Sequence, residues 1–345
     1  MPQHSTMISG ISRESHASYE AARHGAAMID RSDRGRIAVS GKDRASYLHG
    51  LLTNDIAALR AGEGCYAAYL TPQGRMIADM WVYELGDAVL MTLERDVKDT
   101  ILAKLDQFIF TEDVQLGDVT GTFTSVAVVG PKAAAAVEAV LAGLPAGALA
   151  VLPEHGNLRG RFSDQAAVVL RVTDTGEPGY DVMVDAATGA ALAASLRSAG
   201  AVDVDAAVAD VLRVEAGVPK FHRDMNEDTI PLEAGLESRA ISLTKGYYIG
   251  QEVIIRVLHR GHGRVARRLV GLVLEGDAVP PPGTTVHAEG REVGRVTSGV
   301  ASLALRRPIA LAYVHRDFVA SGTAVALDGA PGVVTALPFV PQAES

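Results

Sequence analysis

Near Val265 the pattern of the chain changes, and that change limits the folds open to it. Upstream, stretches of period-two alternation trade places with stretches of helical spacing, whereas downstream short apolar runs are parted by turns. The downstream runs are Arg268 to Leu274, Thr284 to His287, Glu292 to Thr297, Pro308 to Val314 and Thr323 to Ala326. Pro280-Pro281-Pro282-Gly283, Glu289-Gly290 and Asp328-Gly329 punctuate them. A small all-β barrel or sandwich over 266–345 is therefore expected to follow a larger mixed α/β region over 19–265.

In that larger region Arg36 to Ser40 reads as a strand, and a helix follows with apolar residues at Tyr47, Leu48, Leu51 and Leu52. Cys65 to Leu70, the turn Thr71-Pro72-Gln73-Gly74, and Arg75 to Leu85 read as a hairpin, followed by a strand at Val89 to Leu93 and a helix from about Arg95 to Ile109. Gly130-Pro131 opens an Ala-rich helix to about Leu141. Strands near 166–172 and 180–184 and helices near 186–199 and 204–216 form a second α/β portion, divided from the first near 120–150. Residues 1–18 lack periodicity and read as a mobile tail.

Composition narrows the function classes. Of the 345 residues, 48% are hydrophobic and 21% charged, which excludes fibrous and disordered chains. A net charge of −9 repels nucleic acid and anionic lipid, so sequence-specific DNA binding is not expected. No stretch approaches the roughly 18 apolar residues of a membrane span and the N-terminus has no apolar signal core, which points to a cytoplasmic protein without a membrane role. Cys65 is the single cysteine, unable to form an internal disulfide or a cysteine zinc site. His259 and His262 have no carboxylate at ligand spacing, so no metal is expected. Gly41-Lys42 lacks the upstream glycine of a phosphate loop, and Gly261-x-Gly263-x-x-Ala266 runs into a strand pattern instead of a helix N-terminus.

Three segments carry chemistry. By two-residue alternation Ile77, Asp79, Trp81 and Tyr83 share one face of a hairpin strand, so a carboxylate projects among large side chains that could contact a flat ring. Glu215 ends an apolar helix at Ala216-Gly217, facing the negative end of the helix dipole, and so is not placed there for helix stability. Lys245-Gly246-Tyr247-Tyr248-Ile249-Gly250-Gln251-Glu252 sets two tyrosines between glycines, and a basic run follows: Arg256, His259, Arg260, His262, Arg264, Arg267 and Arg268. Arginine forks suit carboxylates, so this run is a candidate for an acidic ligand tail, an acidic carrier protein or a tRNA segment.

The string from Leu212-Arg213-Val214-Glu215-Ala216-Gly217 through Pro231-Leu232-Glu233-Ala234-Gly235 to Lys245-Gly246-Tyr247-Tyr248-Ile249-Gly250-Gln251-Glu252 resembles the signature of the YgfZ-type folate-binding proteins, relatives of the glycine-cleavage T-protein (aminomethyltransferase). Tyr47 to Asp55 is similar to the family's N-terminal segment, and Gly294 to Gly299 with Ile309 to Val314 to its C-terminal barrel. The resemblance implies an α+β, aminomethyltransferase (GcvT)-like folate-binding fold of two mixed α/β portions plus a C-terminal β-barrel around a central cleft. It implies tetrahydrofolate or a derivative as ligand, Glu215 as the carboxylate that binds the pterin, and Asp79 as a catalytic proton carrier. Trp81, Tyr83, Lys245, Tyr247, Tyr248, Gln251 and Arg256 are then further folate contacts. Two departures stand out: Ala78 occupies the first of the family's paired aspartates, and Tyr247 the cysteine of its K-G-C-Y motif. The Gly246-x-Tyr248-x-Gly250-Gln251-Glu252 segment motivates the expected function, a folate-binding protein supporting iron-sulfur protein maturation or tRNA modification with maturation proteins as partners, and Ala78 counts against a strict transferase. The alternative is an aminomethyltransferase that takes a one-carbon unit from a lipoyl carrier, and a second alternative is an interaction module that has lost its ligand.

Overall fold

A computed structural model describes residues 12–259 and 263–341. Helix α1 (Arg13–His24) leads into β1 (Ala27–Asp30), β2 (Gly35–Ser40) and α2 (Arg44–Leu51). The hairpin β3 (Gly64–Leu70) and β4 (Met76–Glu84) is followed by β5 (Val89–Leu93), α3 (Arg95–Asp106), β6 (Gln115–Asp118), β7 (Phe123–Val129) and α4 (Ala133–Val140). Next come β8 (Asn157–Phe162), β9 (Gln165–Val172), β10 (Gly179–Asp185), α5 (Gly189–Ser198), β11 (Val202–Asp203), α6 (Ala206–Glu215), α7 (Glu237–Ala240) and α8 (Gln251–His259). Strands β12 (Arg267–Leu274), β13 (Thr285–Ala288), β14 (Arg291–Ser302), β15 (Arg307–His315), β16 (Ala324–Leu327) and β17 (Ala330–Thr335) complete the described chain.

The strands form a five-stranded sheet ordered β3-β4-β5-β2-β6, a six-stranded sheet ordered β11-β1-β7-β10-β9-β8, and a closed barrel ordered β12-β15-β14-β13-β16-β17. Strand β7 lies inside the six-stranded sheet with both faces covered. Val126 and Val128 join the core under α4 and α5, and Ala127 and Val129 join the core under α1 and α6. A strand buried on both faces reads as an unbroken apolar run and loses the alternation that marks a half-exposed strand, which is why neither β7 nor its short neighbour β1 is expected from the sequence. The two sheets meet at a seam where Tyr83 and Leu90 of one pack against Leu170, Val172 and Met183 of the other.

The expected mobile tail ends earlier than residue 18. Ser12 caps α1 by accepting from the Ser15 amide at 3.0 Å, and the buried face of the helix is carried by Ser18, Tyr19, Ala22 and Arg23, too polar to give an apolar period. Residues 1–11 lie outside the described residues.

The last turn of α6 ties these parts together. Glu215 is completely buried: one carboxylate oxygen accepts from the Tyr19 hydroxyl at 2.7 Å and from the Arg23 guanidinium, the other from the Ser302 hydroxyl at 2.6 Å and the Ala304 amide at 3.3 Å. Its carbonyl accepts from the amides of Phe339 and Val340, so one residue holds α1, the end of β14 and the C-terminal segment. Two residues earlier, Arg213 donates to Ser298 on β14 at 2.9 Å and to the fully buried Asp224 at 2.7 Å, whose second oxygen accepts from Thr297 at 2.6 Å. Gly217 then turns the chain with φ of +70°, and a Cβ there would meet Leu337 at 2.8 Å. Strand β14 outruns its expected end at Thr297 because it bulges there, and because two of its next three inward residues, Ser298 and Ser302, serve this clamp and are polar. Removing one partner of a buried ion pair costs about 3–5 kcal/mol. Glu215→Ala is therefore expected to lower unfolding stability by about that amount in urea denaturation, and an unchanged midpoint would contradict the clamp.

Candidate functional site

A cavity of about 340 Å³ lies between the five-stranded sheet, α6 and the loop after α6. Strand β4 buries Met76, Ala78, Met80 and Val82 in the core below the sheet, which turns Asp79 and Trp81 toward the cavity on its other face. Tyr66 on β3 lies directly across from Trp81, their ring centroids 6.1 Å apart, and its hydroxyl donates to Asp79 at 2.5 Å. Arg34 stands over the Trp81 ring at 4.4 Å and is held by Glu94 at 2.7 Å, while Arg239 stands 5.6 Å from the Tyr66 ring centroid. The wall thus combines two aromatic rings, two guanidinium planes and one half-buried carboxylate.

Burial raises the Asp79 pKa above the ordinary carboxylate value. The Tyr66 hydroxyl and the Arg34 charge oppose that rise, and Glu94 adds to it. An acid with a raised folded-state pKa binds its proton in the folded chain before the unfolded chain does. Ionised Asp79 therefore costs stability at every pH above its folded pKa, and the cost fades as pH falls through that value toward the unfolded one.

Of the residues expected at the site, Asp79 and Trp81 line this cavity. Tyr83 shares their face but lies further along β4, completely buried in the seam between the sheets. Glu215 is behind the cavity in the clamp, with both oxygens already accepting from protein groups. Lys245 is buried and donates to the carbonyls of His49, Leu52 and Asn54 at 2.5, 2.6 and 2.9 Å. Burial pulls its ammonium down to about 8. Tyr248 is completely buried in the core of the first sheet, whereas Tyr247 is 74% exposed. Gln251 reaches the Gly246 carbonyl at 3.4 Å and Arg256 pairs with Glu252 at 2.7 Å on the surface of α8. The segment packs on the tip of the hairpin: a Cβ at Gly250 would lie 2.5 Å from the Thr71 carbonyl. In the basic run Arg267 pairs with Glu233 and Arg268 with Glu237, and Arg260 and His262 lie outside the described residues.

Tyr66, Arg34, Arg239 and Arg213 line the cavity without having been singled out by sequence reasoning. A signal for Tyr66 exists in the hairpin, but the register slips by one residue near the turn, between the Tyr69–Ala78 and Leu70–Met76 pairs. Counting back from the turn without that bulge sets Tyr66 opposite Met80, on the core face.

Two sheets and a closed barrel, with a charged cavity of ligand size between the five-stranded sheet and α6, define the fold as a mixed α/β region followed by a barrel. Comparison with known families makes the assignment specific: residues 4–245 match the GCVT N-terminal domain and residues 267–340 the glycine cleavage T-protein C-terminal barrel domain. The chain belongs to the glycine cleavage T-protein superfamily. It is 33% identical to an aminomethyltransferase of Nostoc sp. over 96% of this chain and 88% of that one. It is 34% identical to an aminomethyltransferase of Rubrobacter xylanophilus over 86% and 78% of the two chains. The crystal structure of the glycine cleavage system aminomethyltransferase T from Bartonella henselae superposes with a TM-score of 0.84 at 26% identity, covering 94% of this chain and 89% of that one. The expected fold, with its C-terminal barrel, is the fold observed.

These relatives correct the expected function. Relatives spanning most of the chain at 31–34% identity are named aminomethyltransferase, which overturns the reading as a YgfZ-type protein of iron-sulfur maturation or tRNA modification. The structure explains why Ala78 misled. Its side chain is completely buried on the core face of β4, opposite Asp79, so the departure at 78 leaves the carboxylate in the cleft untouched. Among the described residues no helix is long and apolar enough to cross a membrane.

Asp79→Asn removes the buried charge and keeps the shape. It is expected to raise the unfolding temperature at pH 7, with the gain shrinking as the pH is lowered through the Asp79 pKa. A gain that stays constant down to pH 3 would contradict the assignment.

Proposed function

We propose that the chain is an aminomethyltransferase that moves a one-carbon unit from an aminomethyl group on a lipoyl carrier protein to tetrahydrofolate. The observation that carries this reading is Asp79, a half-buried carboxylate facing a ligand-sized cleft beside Tyr66 and Trp81, in a chain whose relatives bear that name. The cleft suits a reduced pterin. Tyr66 and Trp81 offer flat apolar surface, Arg34 and Arg239 offer donors and planar stacking partners, and the volume lies in the range of small-molecule sites, about 300–1,000 Å³.

In the transfer, the methylene carbon leaves the carrier sulfur and the amine nitrogen and bonds to two folate nitrogens. The two protons those nitrogens lose end on the released thiol and on ammonia. Asp79 is the group placed to take the proton from the attacking nitrogen and pass it to the departing amine. Its raised pKa suits that work, because an acid–base group operates best with a pKa close to the working pH. Tyr66 orients the carboxylate by donating to one of its oxygens. Glu215 lies outside the lining of the cleft, with both oxygens already bonded, and is not itself a ligand contact in this reading.

Anaerobic incubation with tetrahydrofolate and an aminomethyl-loaded lipoyl carrier tests it. The protein is expected to form methylenetetrahydrofolate, and Asp79→Asn to lower the rate by about 10²-fold or more, the usual contribution of a positioned acid–base group. Tetrahydrofolate binding by Asp79→Asn, followed by the fluorescence of Trp81, is expected to persist. No product from the unaltered protein, or full activity in Asp79→Asn, would overturn the reading.

A further inference from the structure

The Tyr47 to Asp55 segment has a function beyond closing α2. After the helix, Thr53 donates to the Ala240 carbonyl at 2.6 Å, accepts from the Ala68 amide at 2.8 Å, and exchanges backbone bonds with Ala68 and Ser242. Asn54 then spends both hydrogens of its side-chain amide on two carbonyls, those of Tyr66 at 2.8 Å and Arg239 at 3.1 Å. Tyr66 and Arg239 are the residues whose side chains stand beside Asp79 in the cleft: one donates to the carboxylate, the other lies over the ring of the first. Lys245 fixes the same bend from the opposite side by donating to three carbonyls, including that of Asn54. The bend therefore joins β3 to the end of α7 at the two backbone positions that aim the wall of the cleft.

We propose that Asn54 is a positioning residue for the Asp79–Tyr66 pair, acting through the backbone of Tyr66 and Arg239, with Lys245 locking the bend that presents it. The inference rests on the reading of Asp79 as the working carboxylate. One amide bonded to two stretches of chain far apart in sequence leaves little freedom in the direction of either side chain. A shift of a few tenths of an ångström at Tyr66 lengthens its bond to Asp79, and hydrogen bonds weaken steeply with such changes. The charged and titratable groups that act on Asp79 are Tyr66 on β3, Arg34 between β1 and β2 and Glu94 before α3, and Arg239 on α7 acts on Tyr66. Among these, Asn54 contacts the backbone of Tyr66 and of Arg239.

Trp81 is the single tryptophan of the chain and faces the cleft two residues from Asp79, so its fluorescence as a function of pH follows that carboxylate without substrate. Tyr66→Phe removes a donor to the charged form and is expected to move the midpoint up by about one pH unit. Asn54→Ala is expected to move it in the same direction by at least half as much. Because Asn54 acts through Tyr66, the double variant should move it no further than Tyr66→Phe alone. Thr53→Val removes the other side-chain bonds of the bend and should move it least. The proposal is overturned if Asn54→Ala keeps the original midpoint, if the two shifts add in full, or if Thr53→Val shifts the midpoint as far as Asn54→Ala. Should Asn54→Ala not fold, Asn54→Ser, which adds no charge and cannot bridge both carbonyls, carries the same expectation. Failure of both to fold while Tyr66→Phe folds also overturns it, since the residue would then serve the fold as a whole. Turnover by the unaltered protein decides the enzyme reading separately.

Discussion

The buried carboxylate of Glu215 is where the lobes of this protein become one structure. An ionised group without water must have its lone pairs answered by donors, and here the donors come from α1, from the end of β14 and from the residues that follow it. Arg213, two residues earlier, repeats the arrangement, joining α6 to β14 and to Asp224. Because both side chains sit on the last turn of one helix, that turn is fixed against the barrel on one side while Arg213 lines the cleft that α6 shares with the five-stranded sheet. Polar groups that must be satisfied constrain orientation more tightly than apolar contact, which explains why a helix-end arginine and glutamate do this work.

The cleft itself depends on desolvation held in balance. Asp79 is deep enough for burial to raise its pKa, and Tyr66 and Arg34 keep the rise in check. Burial draws the carboxyl toward its protonated form, and the Tyr66 hydroxyl and the Arg34 charge draw it back toward the ionised one. The aromatic wall supplies the low dielectric, and the guanidinium groups over its rings keep the net charge of the wall in balance.

How far the sequence could be read depended on whether a physical signal survived burial. Alternation along β4 correctly set Asp79 and Trp81 on one face, but alternation gives a face and not a depth, so Tyr83 shared the face and ended in the seam. Tyr66 was hidden by a one-residue bulge that no local propensity marks. Glu215 was legible as a carboxylate out of place at a helix C-terminus. Sequence alone could not say whether a ligand or an arginine met it, and Arg23 lies 192 residues away. Lys245 and Tyr248 stand in a conspicuous motif, yet they serve packing, one capping the bend at 52–54 and the other filling the core. The barrel was the most legible part, since its turns are coded by glycine and proline. Its one concealed strand, β17, begins directly after the Asp328-Gly329 turn and carries Pro331 and Gly332, residues that read as more turn.

Whether tetrahydrofolate binds against Asp79 decides the role proposed for that carboxylate. A crystal structure of the protein with bound tetrahydrofolate, grown anaerobically, measures that directly. The pterin is predicted to lie against Tyr66 and Trp81 with a ring nitrogen within hydrogen-bond reach of Asp79, and Glu215 still bonded to Arg23. A pterin seated on the Tyr247 to Arg256 face with the cleft empty, or one that displaces Arg23 from Glu215, would contradict it.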